Sequence, residues 1–210
     1  MKRIIYILPY LILSLNFSIA QTNNNLELKL LEYDNLSQKR MYEIIVDDYQ
    51  YLQLIETQNG KFKGIIKHCV WKLDNVEKSK KLIEKKINIP EELVKKLMND
   101  LRQNNFENIP ECTEQDGCIT DLKGSTTYFN IYTNQINRSI SFLKVEPKYQ
   151  LYKKLNIPTS VIQARKILKL TYNEIDLRIL FESFTRKLPS GKYKYGYNTM
   201  EIKKFGKTDM

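Results

Sequence analysis

Apolar residues recur along this chain at two different intervals, and the interval changes at Pro90. Tyr42 to Val46, Tyr49 to Thr57 and Lys61 to Lys72 are short runs rich in Tyr, Ile, Val and Leu, separated by Asp47-Asp48 and by Asn59-Gly60. Such residues suit a pleated, half-buried surface, and Asn-Gly is the strongest short hairpin signal, so the three runs predict an antiparallel meander. Beyond Pro90, Leu93, Val94, Leu97, Met98 and Leu101 fall at three- and four-residue spacing and predict one buried stripe of a helix. Pro90 opens that helix without losing a needed N–H, Glu91 and Glu92 favour its dipole, and Asn104-Asn105 ends it.

Residues 76–88 admit two readings, because Leu82, Ile83 and Ile87 suit either a basic surface helix or an edge strand dense in lysine. Thr126 to Thr133 and Arg138 to Leu143 flank Asn134 to Asn137 and predict a second hairpin. In the last third, Val161, Ile162, Ile167 and Leu168 predict a helix over Ser160 to Leu170. Leu177, Leu180, Phe181, Phe184 and Leu188 predict another over Asn173 to Leu188, which Pro189-Ser190-Gly191 breaks. Lys192 to Met200 reads as a final strand with Tyr193, Tyr195 and Tyr197 on one side. The expected fold class is therefore α+β: a single domain of antiparallel β-hairpins with a helix after Pro90 and a mostly helical C-terminal third.

The N-terminus carries a different kind of pattern. Lys2 and Arg3 precede the apolar run Ile4 to Phe17, which leads into Ser18-Ile19-Ala20. A positive start, an apolar middle and a small-x-small end are the parts of a secretory signal peptide, with cleavage expected after Ala20. An uncleaved anchor fits less well, since the run is short for a bilayer span and contains Pro9 and Asn16. The expectation is a signal peptide over 1–20, an exported domain over 21–210 in the periplasm or secreted, and no transmembrane segment after signal removal.

Composition sharpens this picture. With 42% hydrophobic residues the chain is not disordered over most of its length, and a single His among 210 residues thins the support for His-based metal or triad chemistry. In an oxidising compartment Cys112 and Cys118 can close a small loop around Asp116-Gly117, leaving Cys69 as a buried thiol. His68 and Cys69 invite a Cys-His nucleophile, but neighbours on a strand point to opposite faces and cannot bond each other. A zinc site from His68, Cys69, Cys112 and Cys118 fails on the same geometry and on spacing. Asp47-Asp48 and the group Glu111, Glu114, Asp116 and Asp121 offer carboxylates for acid–base work or calcium, yet lack the alternating spacing of a calcium loop. No catalytic residue, cofactor or metal is assigned.

The charge is uneven. The chain carries 34 Lys+Arg against 24 Asp+Glu, and from Arg186 to Lys207 seven basic residues face one Glu, interleaved with aromatic rings. Lys192, Tyr193, Lys194, Tyr195, Tyr197, Lys203 and Lys204 are the candidate partner-binding residues, suited to an anionic glycan, a lipid headgroup or an acidic protein. Nucleic acid is not expected outside the cell, and a charged strand also serves simply to protect a sheet edge.

The runs Asn59-Gly-Lys-Phe-Lys-Gly64, Asn105-Phe106 to Ile109-Pro110 and Phe184 to Leu188-Pro-Ser-Gly191, with the signal end Phe17-Ser-Ile-Ala-Gln21, resemble small exported proteins of Bacteroidetes, flavobacteria in particular. That group is one of unknown function, so the resemblance implies export and brings no site residues. The leading expectation is a non-enzymatic exported protein that binds an anionic envelope component or another protein. A carboxylate-dependent envelope hydrolase and an immunity-type inhibitor of an exported toxin are the alternatives.

Overall fold

Among the described residues eight strands form one antiparallel sheet, and the turns between them follow from a few residues that tolerate left-handed backbone. The computed structural model describes residues 31–73, 80–118, 124–146 and 157–203. Strand β1 (Gln38–Val46) turns into β2 (Gln50–Thr57) through Asp47 and Asp48, with φ of 56° and 57°. Two consecutive left-handed residues make the tight turn whose twist matches the strands, and Asp tolerates that region better than most residues. At the next hairpin only Gly60 is left-handed (φ 76°), and the Thr57 N–H donates to the Lys61 carbonyl at 2.9 Å. This is the longer turn with a glycine bulge, rather than the two-residue turn that Asn-Gly most often makes.

Strand β3 (Phe62–Leu73) is the longest and has three partners. One of its edges pairs with β4 (Lys80–Ile89) from Gly64 to Leu73. The other pairs first with β2, over Phe62 to His68, and then with the distant strand β7 (Gly191–Tyr195), over Trp71 to Leu73. The ambiguous segment 76–88 is thus strand from Lys80 onward, with 76–79 outside the described residues. β5 (Thr126–Thr133) and β6 (Asn137–Leu143) extend the sheet beyond β1, and β8 (Asn198–Ile202) pairs with β7.

The helices cover one face of this sheet. Helix α1 (Glu91–Gln103) buries Val94, Leu97, Met98 and Leu101 as the stripe predicts, with Leu93 half-buried. It packs so closely on β3 that a Cβ on Gly64 would lie 2.6 Å from Val94 Cγ2 and 3.0 Å from Ile89 Cδ1. Helix α2 (Thr159–Glu174) adds Val161, Ala164, Ile167 and Leu168 to a core shared with Tyr42, Ile44, Leu52, Phe129 and Phe142 of the sheet. All of these elements belong to one unit, Glu32–Met210, a single α+β domain.

Two predicted boundaries are corrected. The break between the last helices lies at Ile175-Asp176, so Asn173 lies in the last turn of α2 instead of starting α3 (Leu177–Thr185). Thr171 stays helical by donating to the Ile167 carbonyl at 3.0 Å, while the Asp176 carboxylate accepts the N–H groups of Arg178 and Ile179 as the cap of α3. The run Lys192 to Met200 is a hairpin, not one strand. Gly196, with φ of 49°, turns it back and interrupts the alternation of the tyrosines.

Candidate functional site

The residues singled out in the basic tail divide by strand geometry, because successive side chains on β7 point to opposite faces. Tyr193 is fully buried and its hydroxyl donates to the Pro189 carbonyl at 2.8 Å. Tyr195 packs edge-on to Tyr49 with centroids 5.0 Å apart, and Phe181 of α3 completes the cluster at 4.6 Å from Tyr49 and 5.3 Å from Tyr195. These two rings dock the hairpin onto the fold. Tyr197 leaves the strand altogether and sits exposed in the turn. The expected common tyrosine face is therefore absent: two rings are structural and the third projects alone.

Lys192 and Lys194 behave differently, standing exposed on the face of the sheet away from the helices. Register supplies their neighbours. Lys194 lies beside Trp71 and Trp71 beside Leu82, while Lys192 lies beside Leu73. Trp71, Leu73 and Leu82 are half-buried, so one side of each meets solvent. On β8, Thr199 and Glu201 lie opposite Lys194 and Lys192, and Glu201 pairs with Lys203 at 3.6 Å. Lys204 falls outside the described residues. On the other side of the sheet Lys72 and Lys81 face each other across β3 and β4, an arrangement that raises local positive potential at a small cost in stability. Sequence reading missed Trp71, Leu73 and Leu82 as members of this surface, since β3 meets β7 through a strand pairing that spans more than a hundred residues. Their one visible signal was the lysine density around residues 80–86.

His68 and Cys69 do point to opposite faces. His68 is fully buried on the helix side, 5.7 Å from the Phe181 ring and 6.2 Å from Phe184, and neither ring nitrogen has a hydrogen-bond partner. Burial, aided by the Lys85 ammonium, pushes its imidazole down to about 4, so it is neutral at pH 7. Cys69 is buried on the other face with its thiol 3.6 Å from the Asp48 carbonyl, and burial, reinforced by Glu84, pushes it up to about 12. A neutral base and an un-ionised thiol on opposite faces cannot act as a nucleophilic pair.

Cys112 and Cys118 meet at disulfide distance, with Cα atoms 5.5 Å apart. Within their loop the Asp116 carboxylate accepts from the Thr113 hydroxyl at 2.5 Å, and Gly117 is left-handed with φ of 80°. That carboxylate thus caps a single helical turn, Glu114–Asp116. Asp47 is buried in its turn, whereas Asp48 and Glu114 have exposed side chains; Asp121 lies outside the described residues. Among the described residues no three of His, Cys, Asp and Glu converge as a metal site, and no helix is long and apolar enough to cross a membrane.

A concavity of about 300 Å³ lies between the end of β4 and α3. Ile87, Ile89, Leu93, Ile175, Ile179 and Leu180 make it apolar. Of the carboxylates at its rim, Glu174 pairs with Lys96 at 2.5 Å and Asp176 caps α3. Comparison with protein-family models and with curated proteins returned no match for the chain.

Proposed function

We propose that the protein is an exported, non-enzymatic binding protein that engages an anionic envelope component through the basic surface around β7. The observation that carries this reading is the placement of Lys192 and Lys194, exposed and outward beside Trp71, where β3 joins β4 to β7. Lysines that point away from the core and stand next to an aromatic side chain supply both long-range attraction and a contact surface. Export rests on the N-terminal pattern of Lys2-Arg3, the apolar run and Ser18-Ile19-Ala20.

The test is retention on an anionic glycan matrix at low salt, comparing the wild type with a variant in which Lys192, Lys194, Lys203 and Lys204 are all changed to Gln. The variant should elute at markedly lower salt, because exposed charge attraction is screened within about 10 Å at 0.1 M ionic strength. Equal elution would overturn the reading. N-terminal sequencing of the protein recovered from the envelope fraction should begin at Gln21.

A further inference from the structure

We infer that the anionic partner is a membrane surface carrying anionic lipid, and that Lys192, Lys194, Trp71, Leu73 and Leu82 form the face that meets it; this rests on the basic-surface reading above. The five side chains lie on one face of three adjacent strands, set there by the Lys194–Trp71–Leu82 and Lys192–Leu73 registers. The centre of the patch is a Trp and two Leu, half-buried, and its β7 border is two exposed lysines. Charge complementarity requires a negative partner. The apolar centre narrows it further.

A polyanionic sugar chain satisfies the lysines but offers little apolar surface to cover Trp71, Leu73 and Leu82. The boundary of an anionic bilayer matches every part. Trp settles at headgroup level, leucines enter the upper acyl region, and lysines extend along the apolar surface to keep their ammonium groups among the phosphates. Each lysine near such a surface contributes a factor of about five in partitioning, by the usual ~1 kcal/mol per basic residue.

Trp71 is the chain's single Trp, so its fluorescence reports this patch and nothing else. Vesicles of phosphatidylcholine with phosphatidylglycerol, compared with pure phosphatidylcholine and with brominated-acyl versions of the same mixture, are the probes. Binding to the anionic vesicles should shift Trp71 emission to the blue, and brominated chains should quench it. Changing Lys192 and Lys194 to Gln should weaken partitioning about 30-fold. Any contribution of residues 1–20 is common to both proteins and cancels in that comparison. Retention on the glycan matrix without a blue shift or quenching on vesicles overturns the membrane assignment and leaves the basic-surface reading standing. Retention on neither overturns both. Vesicle binding that is indifferent to the two lysines, or that leaves Trp71 unquenched, also overturns the assignment.

Discussion

Acidification should loosen the contact between α3 and the sheet, and His68 sets the size of the effect. In the folded protein its imidazole is held near 4 by burial between Phe181 and Phe184, whereas an unfolded chain leaves it at about 6.5. The groups facing it are Gln50 on β2, Lys85 on β4 and the two phenylalanines of α3, so no carboxylate in this set rewards protonation. The unfolded state therefore binds the extra proton between the two values. Stability is fully present above pH 6.5 and is lost as the pH falls toward 4. At about 1.4 kcal/mol per tenfold change in proton affinity, the loss is about 3 kcal/mol by pH 4.

The measurement is urea unfolding at pH 7 and pH 4 for the wild type and for His68→Leu. Leucine removes the titrating group and two ring nitrogens that lack partners, so the variant should match or exceed the wild type at pH 7. Carboxylates elsewhere titrate equally in both proteins and drop out of the difference. The wild type should lose about 3 kcal/mol more than the variant on going to pH 4. Parallel pH dependences in the two proteins would refute the reasoning.

Three further outcomes follow from local geometry. Gly64→Ala should destabilise by about 1–3 kcal/mol in urea titrations, because the new methyl meets the stiff Val94 side chain at 2.6 Å, and pairing it with Val94→Ala should make the second change cheaper than it is alone. Asp48→Gly should stabilise by about 1 kcal/mol, since φ is 57° there and the carbonyl that accepts from Tyr51 at 2.9 Å is kept; a loss of stability by thermal melt would count against the turn assignment. Reducing Cys112–Cys118 should lower stability by about 2 kcal/mol for so short a loop, and thiol labelling of unreduced protein should find Cys69 alone, and only after unfolding.

Much of the architecture was legible because its signals are local. The β-rich runs of β1 to β3, the stripe from Leu93 to Leu101 and the turns at Asp47-Asp48 and Gly60 each depend on residues a few positions apart. The boundary between α2 and α3 was not legible, because Thr171 and Asn173 are weak helix formers by propensity and the core packing of Thr171 carries the helix past them. The segment 76–88 was ambiguous for a related reason, as only its pairing with β3 makes a strand of it. The site was the least legible part. Alternation alone could have separated Lys192 and Lys194 from Tyr193 and Tyr195, but Trp71 and Leu82 join the lysines only through β3, which no local pattern announces.

The division of one β3 edge between β2 and β7 also orders events in time. A chain made or exported N-terminus first completes β1 to β3 while the last quarter of β3, Trp71 to Leu73, has no partner on that edge. It waits there, an open strand edge beside an uncovered Trp, until residues 191–202 emerge and fold back. The final hairpin is thus the closing stitch of the sheet, and a chain that loses it would expose a ready-made template for pairing with its neighbours.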